Sequence, residues 1–322
     1  MTAVKVAVLG ATGATGSSII DGLLQSSEPR FKITALTRPS SLDKPAVQAL
    51  KQKGITVVAA DIQGPEMELV EVLRGHEVLI SAIDAAHLMA QIPLANAAKA
   101  AGIGRFVPCF FATVAPPKGV MKLRDIKEDV LNHIKQIYLP YTVIDVGWWY
   151  QITLPRLPSG RIDYAITFPA GHIAGDGNKP SALTDLGDIG HYTARIIADP
   201  RTLNQMVFAY SELYTPNQVY DLLEKLSGET IERNYKPSET FLEEIAAVKP
   251  ERITPDHPEL YTLAVSEYGY SWGVRGDNNP QYAKYLGYLL GNELYPDIKG
   301  KPFEQYCKEV LEGKAVSAYE SK

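Results

Sequence analysis

Val4-Lys5-Val6-Ala7-Val8-Leu9-Gly10-Ala11-Thr12-Gly13-Ala14-Thr15-Gly16-Ser17-Ser18-Ile19-Ile20 is the stretch on which the fold turns. Six residues rich in valine predict a buried strand, the glycines predict a tight turn, and the apolar positions after Gly16 open a helix. That context gives the glycines a chemical meaning. Without a Cβ they let backbone approach a pyrophosphate, and the helix start offers unpaired N–H groups and a positive dipole end. The spacing is G-x-x-G-x-x-G, one step away from the G-x-G-x-x-G of many dinucleotide sites. A bound dinucleotide is the leading reading of Gly10, Thr12, Gly13, Ala14, Thr15 and Gly16, and a purely structural turn is the alternative.

Working outward, short apolar runs alternate with amphipathic ones. Strands are expected at 32–38, 56–61, 77–83, 105–110 and 141–146, and helices at 44–53, 65–74, 88–101 and 123–138. Strands separated by helices predict an α/β fold with a doubly wound parallel sheet of the Rossmann type, with ligands at the carboxyl ends of the strands. Beyond Trp149 the rhythm breaks into Pro- and Gly-rich sequence, and Gly175-Asp176-Gly177-Asn178 reads as a loop or hairpin turn. A helix capped by Asp188, a strand at 206–210 and a helix at 217–227 suggest a return to the sheet. Two further helices are expected at 279–290 and 302–311, and a loose tail from Val316. The resulting division is a dinucleotide-binding domain over 1–152, rejoined by 185–228, and a smaller, mostly helical substrate domain from 153–184 and 229–322.

Composition narrows the partners. The 322 residues carry 32 Lys plus Arg against 37 Asp plus Glu, a net charge of −5 without a basic run, which argues against nucleic acid and anionic membrane as partners. Two cysteines, Cys109 and Cys307, and six scattered histidines give no metal-ligand spacing, so no metal is expected. With no signal-like or membrane-length apolar segment, a reducing cytoplasm is the expected compartment, and a monomer or homodimer the expected state.

The end of the second strand selects the cofactor. A NAD site places a carboxylate there, about 20 residues past the glycines, to receive the ribose hydroxyls. Here the sequence is Leu36-Thr37-Arg38-Pro39-Ser40-Ser41, so Arg38 can pair with a 2′-phosphate, with Ser40, Ser41 and Lys44 as further donors. This predicts NADPH; an exposed strand-end arginine is the alternative. Asp61 is placed near adenine, and Ser81 and Ala82 near the nicotinamide half.

On the helix at 123–138 the apolar face holds Leu123, Ile126, Val130, Leu131, Ile134 and Ile137, and Lys127 falls inside that stripe. A lysine there either snorkels to solvent or sits partly buried with a lowered proton affinity, able to bind ribose hydroxyls and exchange a proton. Both readings stand at this level. Phe110 and Phe111 after the fifth strand, and Trp148 and Trp149 after the sixth, are expected to wall an aromatic substrate pocket, with Tyr261, Tyr268, Tyr270 and Trp272 closing over it. His133 and Cys109 are read as structural.

Together, the glycine turn, Leu36-Thr37-Arg38, Ala97 through Pro108, Lys127-x-x-Val130-Leu131 and Tyr141-Thr142-Val143 resemble the NmrA-like, isoflavone reductase-like group of atypical short-chain dehydrogenases. Gly147-Trp148-Trp149-Tyr150-Gln151 resembles its fungal members. The resemblance implies NADPH-dependent hydride transfer to an enone, quinone or benzylic carbon of an aromatic or polyketide-like compound, with Lys127 in the place of the family's catalytic lysine. It also admits a non-catalytic NADP(H)-sensing regulator, or an isomerase or cyclase on the same fold. The family's Pro-Ser-Glu-Phe-Gly is replaced here by Pro108-Cys109-Phe110-Phe111-Ala112, which removes two polar groups from the nicotinamide side.

Overall fold

In a computed structural model, described for residues 3–167 and 171–316, the first strand β1 (Val4–Leu9) lies in the middle of a parallel sheet. β2 (Phe31–Thr37) and β3 (Thr56–Ala59) lie to one side of it, and β4 (Val78–Ser81) and β5 (Arg105–Val107) to the other. β6 (Thr142–Asp145) continues the sheet past β5 through a parallel Phe106–Tyr141 bridge. Residues one apart along β1 serve opposite faces. Val6 and Val8 pack with α1 (Ala14–Gln25), while Ala7 and Leu9 pack with the helices on the other side. α2 (Pro45–Gln52) sends Leu50 into the first of these cores, and α3 (Glu66–Leu73), α4 (Gln91–Ala100) and α5 (Lys122–Gln136) fill the second. Both sheet faces are therefore covered, which is why the strands are apolar throughout rather than alternating.

Trp148–Trp149 form a short strand, β7. The segment with Gly175 and Gly177 is a turn but not a hairpin. β8 (Ile173–Ala174) before it and β9 (Ser181–Thr184) after it enter different sheets, β9 pairing with β7. The chain then returns to the main sheet. α6 (Leu186–Ala198) crosses α1 so closely that a Cβ on Gly190 would stand 1.8 Å from the Ser18 carbonyl oxygen. The Ser18 hydroxyl accepts from Gly190 N at 2.9 Å and donates to the Leu186 carbonyl. Asp185 caps α6 by accepting from Gly187 N. Asp188, the expected cap, is buried instead, where it accepts from Ser211 Oγ at 2.6 Å and Lys301 N at 2.8 Å. β10 (Gln205–Phe208) pairs in parallel with β6. β11 (Glu212–Tyr214) joins β9, and α7 (Pro216–Ser227) starts on a capping box between Thr215 and Gln218.

The remaining elements are β12 (Tyr235–Lys236), paired with β8, α8 (Ser238–Val248), α9 (Leu260–Tyr268) and a π-helical turn over Gly269–Arg275. α10 (Pro280–Tyr285), β13 (Leu289–Leu290), α11 (Gly291–Leu294) and α12 (Phe303–Leu311) follow. The helix expected over 279–290 stops at Tyr285. Gly287 takes a φ of +88° and Leu289–Leu290 pair with β10, so a parallel strand displaces the last helical turn. The helix expected at 88–101 is likewise divided. Asp84 caps a 3-10 turn over Ala85–Ala90, and Pro93, which has no N–H to bond the preceding turn, sits in the first turn of α4.

Candidate functional site

One cavity of about 1060 Å3 runs along the carboxyl ends of β1, β2, β4, β5 and β6 and continues between β7–β9 and α9. Its floor is the glycine turn. Gly10 has a φ of +80°, and a Cβ there would stand 2.3 Å from the Ala82 carbonyl oxygen; one on Gly16 would stand 2.0 Å from the Gly10 carbonyl oxygen. Gly10, Thr12, Gly13, Ala14 and Thr15 line the cavity, whereas Gly16 lies behind them and serves the turn's close packing. Gly13 holds the N-cap position of α1 without a side-chain oxygen, so no side chain caps the amides at the helix start. The residues fit a pyrophosphate: a glycine turn too tightly packed for side chains, bordering the cavity, and a bare helix N-terminus.

At the end of β2, Arg38 is exposed and borders the cavity together with Ser41, Lys44 and Asp61. Ser40 is exposed and turned away from it, because the 3-10 turn over Pro39–Ser41 buries Ser41 instead. Ala82 lines the cavity, but Ser81 is fully buried under the sheet with its hydroxyl unpartnered. The strand-end alternation that brings Ala82 to the cavity takes Ser81 away from it.

Lys127 does reach the cavity. It is 8 % exposed, and its ammonium donates to the Phe110 carbonyl at 2.5 Å, with the Phe110 ring 5.8 Å away. Burial lowers its proton affinity below that of an ordinary lysine; Cys109 and Asp145 push it back up, and Arg124 lowers it further. The loop that presents the Phe110 carbonyl is itself held on β6. Phe111 N donates to Ile144 O, and Val146 N and Gly147 N both donate to Ala112 O. This forces Phe111 to a φ of +36°, a region a non-glycine residue enters only when its surroundings impose it. The Phe110 ring belongs to the core, packed with Leu131 and Val143 beneath the Arg124 guanidinium, so its contribution at the cavity is its carbonyl rather than an aromatic wall. The Phe111 side chain is also mostly core, against Ile144 and Trp149.

The aromatic wall comes from further along the chain. Trp148 and Trp149 pack on different clusters, as neighbouring strand residues should, and both line the cavity. Trp148 meets Tyr268 at 5.1 Å and Trp272 at 6.0 Å between ring centroids. Tyr261 also lines the cavity; Tyr270 does not. Cys109 borders it, donating to the Ile83 carbonyl, and burial pushes its thiol up despite Lys127. His133 pairs with Asn96 on α4, as a structural residue.

The sequence reading missed the charge cluster behind Lys127. Arg124, one turn earlier on α5, is 3 % exposed and donates to Asp145 Oδ2 at 2.7 Å, Glu128 Oε1 at 2.8 Å and the Tyr288 hydroxyl at 2.6 Å. The Tyr288 hydroxyl donates to the same Asp145 oxygen at 2.6 Å. The sequence signal was available: Asp145 closes an otherwise apolar strand, and Arg124 stands three positions before a lysine in the apolar stripe. Among the described residues no cluster of His, Cys, Asp or Glu could hold a metal ion.

The NmrA-like family profile covers residues 2–268, the glycine cradle, Lys127 and the aromatic wall up to Tyr268 included. The chain belongs to the NmrA-like family. An asnovolin J 5′,6′-dehydrogenase of Aspergillus novofumigatus is 51 % identical over 315 residues, 96 % of each chain. An isoflavone reductase-like protein of Olea europaea is 29 % identical over 95 % of this chain and 98 % of its own. Among solved structures, the leucoanthocyanidin reductase–NADPH complex from Vitis vinifera shares the fold at a TM-score of 0.79 and 22 % identity, over 96 % of this chain and 99 % of that one. AtPrR2 solved with NADP+ and (+)-pinoresinol matches at a TM-score of 0.76 and 25 % identity, with the same coverage. The doubly wound α/β fold and the membership read from the motifs are thus both borne out.

Proposed function

We propose that this NmrA-like chain is an NADPH-dependent oxidoreductase that transfers hydride to an aromatic or polyketide-like small molecule in secondary metabolism. The observation that carries the reading is Lys127, a buried ammonium held by the Phe110 carbonyl and standing on the wall of the cavity that the glycine turn also lines. A binding module that only senses a dinucleotide has no need to bury an ammonium there. The relatives, a fungal dehydrogenase and plant reductases, support the same class of chemistry.

The chain's own residues divide the work. Gly10 through Thr15 hold the pyrophosphate, Asp61 faces the adenosine end, and Arg38 with Ser41 and Lys44 receives the 2′-phosphate. NADPH, when bound, supplies the hydride. Lys127 Nζ holds a proton beside the reacting atoms, and because burial weakens its hold, the proton passes more readily to a developing oxyanion. Trp148, Trp149, Tyr268 and Trp272 exclude water and orient a flat apolar substrate. No helix among the described residues is long and apolar enough to cross a membrane. We place the protein in the cytoplasm, as a monomer or homodimer without nucleic-acid partners, on its two free cysteines and modest negative charge.

The test is a titration with NADPH and NADH by tryptophan-to-nicotinamide energy transfer, followed by NADPH oxidation with aromatic enones. The expected result is that Arg38→Ala weakens NADPH about tenfold or more, one charge-assisted hydrogen bond at an exposed site, and leaves NADH unchanged. Lys127→Ala should abolish turnover while keeping NADPH binding. Equal loss of both dinucleotides, or full turnover by Lys127→Ala, contradicts the assignment.

A further inference from the structure

The cavity that Lys127 borders is also lined by residues of β8, β9 and α7, which no dinucleotide chemistry uses. There β8 opens with His172 next to it. Ile173 N donates to Asn234 O at 2.7 Å and Gly175 N to Lys236 O at 2.9 Å, so the backbone that follows the imidazole is anchored in the short β8–β12 pair. The His172 ring stands edge-on to Phe241 of α8, at 5.5 Å and 62°. Phe241 is fully buried and fills the space beside Gly269, where a Cβ would come within 2.5 Å of its ring. His172 is thus supported from behind by a fixed aromatic ring and borders the cavity in front.

Its polar surroundings do not satisfy it. The two charged groups facing it, Lys236 of β12 and Glu244 of α8, are engaged elsewhere. They pair with each other, Lys236 lies 4.3 Å over the Phe241 ring, and Glu244 accepts from Ser266 Oγ at 2.6 Å. Among the described residues no hydrogen bond reaches either ring nitrogen of His172. An imidazole half-buried on an apolar cavity wall, with no hydrogen-bond partner among the described residues, has ring nitrogens that water or a ligand can satisfy.

Building on the oxidoreductase reading, we propose that His172 is a second polar anchor for the substrate, hydrogen-bonding an uncharged oxygen that the molecule carries away from its reacting carbon. The substrate class is therefore an extended, mainly apolar skeleton with an enone or benzylic function at the Lys127 end and a hydroxyl, phenol or carbonyl oxygen at the aromatic end. Burial, followed by Lys236, lowers the proton affinity of the ring and keeps it neutral, with one donor and one acceptor. A neutral imidazole suits a hydroxyl, which both gives and takes a hydrogen bond. It does not suit a carboxylate, because the ammonium that faces the ring, Lys236, is already paired with Glu244.

The experiment uses three probes that differ at one remote position: chalcone, 4-hydroxychalcone and 4-carboxychalcone. Their binding to the NADP+-loaded protein is read from quenching of the wall tryptophans, independently of turnover. Wild type should bind 4-hydroxychalcone about five- to tenfold more tightly than chalcone, the size of one neutral hydrogen bond, and 4-carboxychalcone no more tightly than chalcone. His172→Phe should erase the hydroxyl preference and leave chalcone affinity unchanged, and His172→Gln should restore part of it. Equal affinity of wild type for chalcone and 4-hydroxychalcone, a preference for the carboxylate, an equal loss for every probe in His172→Phe, or binding of none of them overturns the proposal. If the hydroxyl preference holds but no probe drives NADPH oxidation, the anchor stands and the oxidoreductase reading fails.

Discussion

Asp145→Asn tests the charge cluster behind Lys127 on two independent scales. Asp145 is fully buried, and one of its oxygens accepts both from Arg124, at 2.7 Å, and from the Tyr288 hydroxyl, at 2.6 Å. The other oxygen has no partner, so an amide placed here meets either two donors with its own N–H groups or a site with no acceptor. Removing one partner of a buried ion pair costs about 3–5 kcal/mol; Arg124 keeps its bond to Glu128, which places the expected loss near the lower figure, about 3 kcal/mol. For a chain of this size that lowers the Tm by roughly 4–5 °C. Pairing the change with Arg124→Met should recover much of the loss, because the guanidinium no longer needs a counterion. The second scale is protonic. Asp145 supports the charged form of Lys127 and Arg124 opposes it, so neutralising Asp145 lowers the lysine's proton affinity further. The alkaline limb of the pH–rate profile for enone-driven NADPH oxidation should then move to lower pH. A loss under about 1 kcal/mol, a double variant no more stable than the sum of its parts, or a limb that stays or moves upward refutes the reasoning.

Glu267 caps the helix that carries Lys127, accepting from Lys122 N at 2.7 Å, and burial pushes its carboxyl up to about 7 from the ordinary 4.5. The folded state then holds its proton where the unfolded chain has released it, so this group's contribution to stability is complete below pH 4.5 and lost as pH rises to about 7. Glu267→Gln should remove about 3 kcal/mol of that fall between pH 4.5 and 7, measured as the difference in denaturant unfolding between variant and wild type; an unchanged pH slope would show that the carboxyl is not perturbed. Gly190→Ala gains about 1 kcal/mol of helix propensity, yet its methyl would stand 1.8 Å from the Ser18 carbonyl oxygen, so prising α6 from α1 should leave a net loss of about 2 kcal/mol. Thermal unfolding decides it, and a raised Tm would mean the helices cross less closely than described.

The local features were legible in the chain because each rests on neighbours in sequence. The run Val4–Leu9, the glycines after it and the helix from Ala14 state strand, turn and helix without distant help, and Lys127 stands out because helical period alone puts it among leucines and isoleucines. Arg38, with no carboxylate beside it, could be placed at the cavity for the same reason. The misses share one cause: a distant segment decided the outcome. Asp188 looked like a helix cap until Ser211 and Lys301 claimed its carboxylate, and Leu289–Leu290 looked helical until β10 offered an open edge. Phe110 resembled a pocket wall, but the β6 hydrogen bonds that bend its loop turn the ring into the core and its carbonyl toward Lys127. The partners of Arg124 lie 21 and 164 positions away, at Asp145 and Tyr288, and His172 acquires its setting from Phe241 and Lys236. Periodicity and turn chemistry therefore determined which elements form and which turn is expected to hold a dinucleotide. Which side chains share the low-dielectric space around the lysine, and so set its proton affinity and the substrate it meets, was decided only when tertiary packing brought those segments together.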